Sequence, residues 1–257
     1  MANRGSGTAD ICFRMAASSP APPLIRGNAL DYYLSQGYYR MQQELFTCHF
    51  VPFEGRLYTA HWLRLMVARM EWGPEPRRLL RRNTQFGATI RPLRLTPEHE
   101  ELYARYRAAI TFDAAPTIEE ILTGGAAHSV FNTHVVELRD GNRLVAAGIF
   151  DRGHRSLAGI LNFYDPAYRQ HSLGKYLLLL KAEHARNLQL HYYYPGYVIH
   201  NYPKFDYKLF ACPAATEVFD TLRGQWQPFD RDAVAAHSAE LLADWLPEEL
   251  RGMVDSG

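Results

Sequence analysis

The stretch FYDPAYRQHSLGKYLLLL, residues 163 to 180, constrains the fold of this chain more than any other. An aromatic run stops at Asp165-Pro166, a turn signal, and a polar link leads to an apolar run from Leu173 that continues for a helical length. Strand, turn and helix in that order set a helix start directly behind a strand end. First-turn N–H groups there lack an intrahelical partner and can hold an anion. Ser172 reads equally as the N-cap of an ordinary core helix, so the spacing by itself leaves both readings open.

The flanking sequence supplies the rest of the architecture. "LDYYLSQG" reads as a helix ended by Gly37, and "YYRMQQELFTCHF" follows as strand. "GRLYTAHWLRLMVARM" fits a strand pair or an amphipathic helix, and periodicity does not choose between them. "GPEPRRLLRRN" marks a turn and then a short basic helix, with a boundary region near Ile90 to Leu95. "TPEHEELYARYRAAI" is a helix with Thr96 as N-cap and Pro97 at its first position, and Leu102, Tyr106 and Ile110 share one face. After Gly125 strands dominate. Two β-rich runs flank "RDGN", whose Asp140-Gly141 pair signals a type I′ hairpin, and "RSLAGILNFYDP" is a third strand. A helix from Leu173, the strand "HYYYPGYVIH", and the loop "NYPKFDYKLFA" leading to a last strand complete a mixed α/β order. The expected fold class is α/β with a mixed sheet. The expected division is a disordered leader over residues 1–23, a smaller N-terminal α+β domain over 24–94, a main domain over 95–235 and a helical tail over 236–257.

Charge is uneven along the 257 residues. The whole chain carries +1, yet nine arginines between Arg56 and Arg94 face only Glu71 and Glu75. Such a run suits a polyanion or forms a solvated face. Cys12, Cys48 and Cys212 are too scattered for a disulfide framework or a C-x-x-C pair, which makes a reducing, cytoplasmic setting the default. No secretory h-region opens the chain, and no apolar run reaches about 18 residues, so no membrane partner is expected.

The helix start at Ser172 is similar to the coenzyme A cradle of the GNAT acetyltransferases, whose pattern is R/Q-x-x-G-x-G/A. Arg169-Gln-His-Ser172-Leu-Gly174 keeps the arginine and the last glycine and has serine at the first glycine position. Downstream, residues 191 to 208 hold six tyrosines, Lys204, Lys208, His191 and His200. Alternating tyrosines suit half-buried packing, and aromatics beside lysines also suit a stacked base near a phosphate or carboxylate.

With these residues in view, "FYDPAYRQHSLGKYLLLLKAEHARNLQLHYYYPGYVIHNYPKFDYKLF" resembles the arginyl-tRNA–protein transferase family, which includes the bacterial leucyl transferases. Its signature runs FYDP, SLG, Y-Y-x-G-Y-x-I and K-M-x-Y-K in that order. Fainter likeness covers "YYLSQGYYR" and "RRLLRRN", within residues 30 to 228. The resemblance implies a GNAT-like C-terminal domain that moves arginine or leucine from charged tRNA to the α-amine of proteins with acidic N-termini, for N-end-rule degradation. Under it, the donor 3′ end falls to Arg169, Ser172, Leu173, Gly174 and Tyr197, and the tRNA backbone to Arg77, Arg78, Arg81 and Arg82. Lys208 and Lys204 would meet the acceptor's N-terminal carboxylate. Tyr164, Asp165, His200 and Tyr207 are the candidate catalytic residues. The donor is aminoacyl-tRNA, with no cofactor and a monomer expected. Family members often carry a cysteine pair that binds a metal or cluster. Here Cys48 stands alone, so no metal is expected. The alternatives are an acetyl-CoA-dependent N-acetyltransferase and an inactive tRNA- or peptide-binding module.

Overall fold

In the computed structural model, residues 13–14, 23–53, 55–111 and 114–245 are described. The expected leader lies almost wholly outside them, as do residues 246–257 of the expected tail. Within the leader, β1 (Phe13–Arg14) pairs with a later strand. Helix α1 (Asn28–Ser35) ends before Gly37 at φ 77°. The segment read as one strand is a hairpin, β2 (Tyr39–Met41) and β3 (Glu44–Thr47), because Gln42 takes a positive φ of 54° between them. β4 (Phe50–Phe53) leads into β5 (Arg56–Met66), one long strand that settles the ambiguity left by its periodicity. Nearly every β5 side chain is buried, which erases the alternation that would have marked it.

The basic segment forms α2 (Pro74–Arg82), started by Pro74, and is followed by β6 (Gly87–Pro92). Helix α3 (Pro97–Ala109) has the expected Thr96 cap, closed by His99 in the reciprocal position. After α4 (Ile118–Thr123) come β7 (Thr133–Asp140), β8 (Arg143–Arg152) and β9 (Ser156–Tyr164). The β7–β8 turn is Gly141–Asn142 with positive φ at Gly141 alone, the type II′ pattern rather than I′. Helix α5 (Leu173–Asn187), β10 (Tyr192–Ile199), β11 (Thr216–Asp220), β12 (Gln225–Pro228) and α6 (Arg231–Trp245) complete the order. The loop expected after β10 is a 3-10 helix, Pro203–Phe210.

The architecture is mixed α/β. One nine-stranded sheet runs β12-β11-β5-β10-β9-β8-β7-β6, with β4 also on β5, and a small sheet holds β1-β3-β2. β9 and β10 are parallel and their neighbours antiparallel. β5 sits between β10 and β11, so the boundary expected near Ile90 to Leu95 does not divide the sheet. Helix α5 covers one face, where Leu173, Leu177, Leu178 and Leu179 are at most 1% exposed. Each such burial contributes roughly 2 kcal/mol. Helices α3 and α4 cover the other face through Leu102, Tyr103, Ile118 and Leu122. Along β8, Val145 faces α5 while Leu144 faces α3, as a two-residue period requires.

Candidate active site

The site is built where β9 ends and α5 begins. Asp165 stops β9 and caps the 3-10 helix Pro166–His171, its Oδ1 accepting from the Ala167 amide at 3.0 Å. Arg143 donates to its Oδ2 at 2.6 Å and Arg105 lies at 3.4 Å. Burial works against the charge of Asp165, but the Ala167 amide and Arg143 outweigh it and hold the carboxyl below its usual value. The side chain is committed to that corner.

Ser172 then turns the chain into α5 with φ 52° and ψ 45°, the left-handed region that glycine enters freely and serine does not. Its hydroxyl makes no capping bond. The amides of Leu173, Gly174 and Lys175 find no acceptor among the described residues, and the first backbone bond of the helix is Tyr176 N–H to Ser172 O, 3.1 Å. The helix start therefore presents free donors at the positive end of its dipole. Gly174 leaves room beside Tyr164, since a Cβ would sit 3.6 Å from Tyr164 Cε1.

These donors border a cavity of about 450 Å³. Its walls are Tyr106 of α3 and Ile110 just after it, Asn162 and Tyr164 of β9, Arg169, Ser172, Gly174 and Lys175, and Lys204, Phe205 and Tyr207 of the 3-10 helix. The cavity exists because two parallel strands separate. β9 and β10 pair only from Ser156↔Tyr192 to Ala158↔Tyr194, and β10 bulges against β5 between Tyr193 and Gly196, where Gly196 has φ 106°. A second concavity of about 510 Å³ shares Ser172 and Lys175 and is walled by Arg78 and Arg82 of α2. Arg82 donates to the Gln170 carbonyl and fastens α2 to the turn.

The expected site residues divide into groups. Tyr164, Arg169, Ser172, Gly174, Lys204 and Tyr207 are brought together around the cavity. Burial and then the neighbouring Tyr164 push the Tyr207 phenol up to about 12, so it stays protonated at neutral pH. Leu173 is core, contributing only its amide. Arg78 and Arg82, four residues apart, face the cradle, while Arg77 and Arg81 are exposed on α2 away from it. Asp165 does not line the cavity. His200 lies in a separate concavity with Asp206 and Arg231, and burial lowers its pKa. Tyr197 packs against Trp62 at 5.0 Å and Phe205 at 5.5 Å.

Lys208 is half-buried by area, yet its ammonium is enclosed. It donates to Tyr197 O at 2.7 Å, and the rings of Tyr197 and Phe205 lie 4.5 and 4.6 Å away. Burial brings its pKa down to about 7. It fastens the bulged strand and does not line the cavity.

Sequence reasoning missed Tyr106, Asn162 and Lys175, and with them Lys181 of α5. Lys181 is 1% exposed, and its Nζ donates to Asn162 Oδ1 at 2.8 Å and Ile149 O at 3.5 Å. Burial lowers its pKa to about 7. In "LLLLKAEH" a lysine ending an apolar stripe looks like a surface residue, and only the packing shows it inside. Among the described residues no three His, Cys, Asp or Glu side chains are grouped to hold a metal ion, and no helix is long and apolar enough to cross a membrane.

Known proteins are similar to the part of the chain that holds these residues. Residues 98–215 match the family described as arginine-tRNA-protein transferase, C terminus, a span that includes β9, the cradle, α5 and the lysine-bearing 3-10 helix. The chain is 32% identical over 181 residues to the aspartate/glutamate leucyltransferase of Gluconacetobacter diazotrophicus, covering 66% of this chain and 65% of that protein. It is 34% identical over 160 residues to the enzyme of the same name from Thiobacillus denitrificans, covering 60% and 63%. The chain thus spans a little under two thirds of the length of these relatives. Among solved structures, the C-terminal domain of a protein named as a lysylphosphatidylglycerol synthetase from Agrobacterium fabrum aligns at a TM-score of 0.47 and 14% identity, over 72% of this chain and 66% of that one. Over residues 98–215 the chain thus carries the C-terminal domain of the arginine-tRNA–protein transferase family.

Proposed function

We propose that this chain is an aminoacyl-tRNA–protein transferase with a GNAT-like donor site, moving arginine or leucine from charged tRNA to the α-amine of acceptor proteins with acidic N-termini, for N-end-rule degradation. The observation that carries the reading is the shared wall at Ser172 and Lys175. On one side lies an open cavity beside the free helix-start amides, and on the other the Arg78 and Arg82 surface. An aminoacylated 3′ end fits the first and the tRNA backbone suits the second, since phosphate contacts dominate affinity for nucleic acids.

The chemistry asks little of the protein. An amine attacks an activated ester, so the site must position both partners and stabilise the oxyanion. The α5 amides suit the donor's negative charge. The Tyr207 phenol, protonated at neutral pH, serves as a hydrogen-bond donor and not as a base. Lys204 and Arg169, both on the cavity wall, suit the acceptor's acidic side chain or the donor's phosphates. Lys208 supports this pocket through the strand it fastens.

The test is a transfer assay with a panel of charged tRNAs and peptides varied at the N-terminus. Transfer from Arg- or Leu-tRNA to peptides beginning with Asp or Glu is expected. The α5 amides also suit a coenzyme A pyrophosphate. Tight acetyl-CoA binding without tRNA binding would overturn the proposal in favour of an N-acetyltransferase, and tRNA binding without turnover would indicate a binding module.

A further inference from the structure

The floor of the cavity carries a polar device that the reading above does not use. Asn162 and Tyr164 are two residues apart on β9 and both line the cavity, which Gly174 at the α5 start lines with them. The Asn162 amide gives its Oδ1 to Lys181 Nζ at 2.8 Å, while its Nδ2 makes no hydrogen bond among the described residues. Among the described residues Lys181 has no carboxylate beside it. Its partners are Asn162 Oδ1 and the Ile149 carbonyl. An ammonium has no lone pair, so only the oxygen of the amide can face it, and the NH₂ must turn away. The neutral amine would still have an N–H for each of the two oxygens.

The surrounding backbone is shaped around this pair. Gly148 lies opposite Asn162 on β8, and a Cβ there would come within 2.9 Å of Asn162 Oδ1. A Cβ on Gly159 would sit 3.5 Å from Lys181 Nζ. Burying a lysine without a counter-charge is costly, and an apolar residue of similar volume would fill the same space without that cost. What the lysine adds is a fixed direction for the asparagine amide.

We propose that Asn162 is a catalytic residue whose Nδ2–H donates to the carbonyl oxygen under attack, and that Lys181 is the positioning residue that holds it so. This rests on the transferase reading. In the step it serves, the acceptor amine nitrogen bonds to the ester carbonyl carbon and the carbonyl π pair moves onto oxygen, where Asn162 meets it. The pair returns as the bond to the tRNA ribose oxygen breaks. One amine proton ends on that ribose oxygen, leaving an amide and deacylated tRNA.

The test measures kcat and KM separately, with the donor and acceptor that the wild type uses best, on Asn162→Asp, Asn162→Ala, Lys181→Met and the double variant Lys181→Met/Asn162→Ala. Asn162→Asp keeps the shape and an oxygen for Lys181 while replacing the donor by a carboxylate oxygen, and Asn162→Ala removes the donor without adding a charge. Both asparagine variants should lose kcat by about 100-fold, the usual effect of deleting one oxyanion donor, with KM for tRNA changed by less than about twofold. Lys181→Met should lose about tenfold, and the double variant should fall no lower than Asn162→Ala, since two residues acting through one bond are not additive. Asn162→Asp with wild-type kcat would overturn the proposal, and independent, multiplicative losses would overturn the role of Lys181. A wild type that transfers nothing from any charged tRNA overturns the transferase reading itself, which this pattern distinguishes from failure of the Asn162 assignment alone.

Discussion

At the residue scale, the position that stands out is Ser172. A serine where a coenzyme A cradle has glycine looks like a defect, and the structure shows that the backbone there does adopt a glycine-like conformation, φ 52°. Holding a non-glycine residue so costs roughly 1 kcal/mol, and the turn sets the start of α5, with its unpaired amides, beside the cavity that Ser172 and Gly174 line. Two positions along, Gly174 provides access to them. Gly174→Ala should be tolerated, its Cβ in ordinary contact with Tyr164. The added methyls of Gly174→Val project into the cavity, so transfer should fall at least about tenfold, equivalent to ~1.4 kcal/mol, with an unchanged melting temperature. Transfer kinetics on the pair, beside thermal melts, check this. A fully active Gly174→Val would remove the cradle from the mechanism.

At the element scale, the readable parts are those with local signals. Helix α3 declares itself through Thr96 and Pro97, and the β7–β8 hairpin through Asp140-Gly141, although the turn falls on Gly141–Asn142 and its type differs because Asn142 does not take a positive φ. The cradle was legible from Asp165-Pro166 and the apolar run after it. What was not legible depends on elements distant in sequence. The cavity joins residues 106 to 207, and Lys181 gains meaning only when Asn162 of β9 lies under it. The strand character of β5 was hidden because burial on both faces removes alternation. Helix α2 gives the element-scale prediction. Arg78 and Arg82 flank the cradle, so replacing both with alanine should weaken tRNA binding and reduce the slope of log affinity against log salt by about 2. Arg77→Ala should have a smaller effect. Titrations at several salt concentrations decide, and an unchanged slope in the double variant would remove this face of α2 from the tRNA contact.

At the scale of the whole molecule, α6 is locked to β5 through histidines that the fold keeps neutral. His61 is 1% exposed, bonds Thr59 at 3.0 Å through Nε2, and leaves its buried Nδ1 without a partner. Thr59 in turn meets Ser238 of α6 at 2.6 Å, and the rings of His61 and His237 lie 5.2 Å apart. Burial, with His237, His200 and His49 nearby, lowers the His61 pKa to about 3. Below the ordinary value near 6.5 the unfolded chain takes up a proton that folded His61 refuses, so stability is full above that value and is lost as pH falls toward 3. Between pH 7.5 and 5.0 the loss from His61 should be about 2 kcal/mol, read by denaturant melts, and His61→Leu should flatten the dependence. An equally steep curve in the variant would place the acid sensitivity elsewhere.

The central place of β5 also has a consequence in time. Its two long edges are occupied by β10 and β11, and Leu65 pairs with Thr216 across some 150 residues of chain. During synthesis the C-terminal half of β5, beyond its local pairing with β4, must therefore wait, apolar and unpaired, until residues 192 to 220 have left the ribosome, and the sheet closes late. A chain ended at residue 190 should show no cooperative unfolding transition and should aggregate, a result that calorimetry and sedimentation would read directly. A nascent protein of this shape spends most of its birth exposing the strand that will lie near the centre of its sheet.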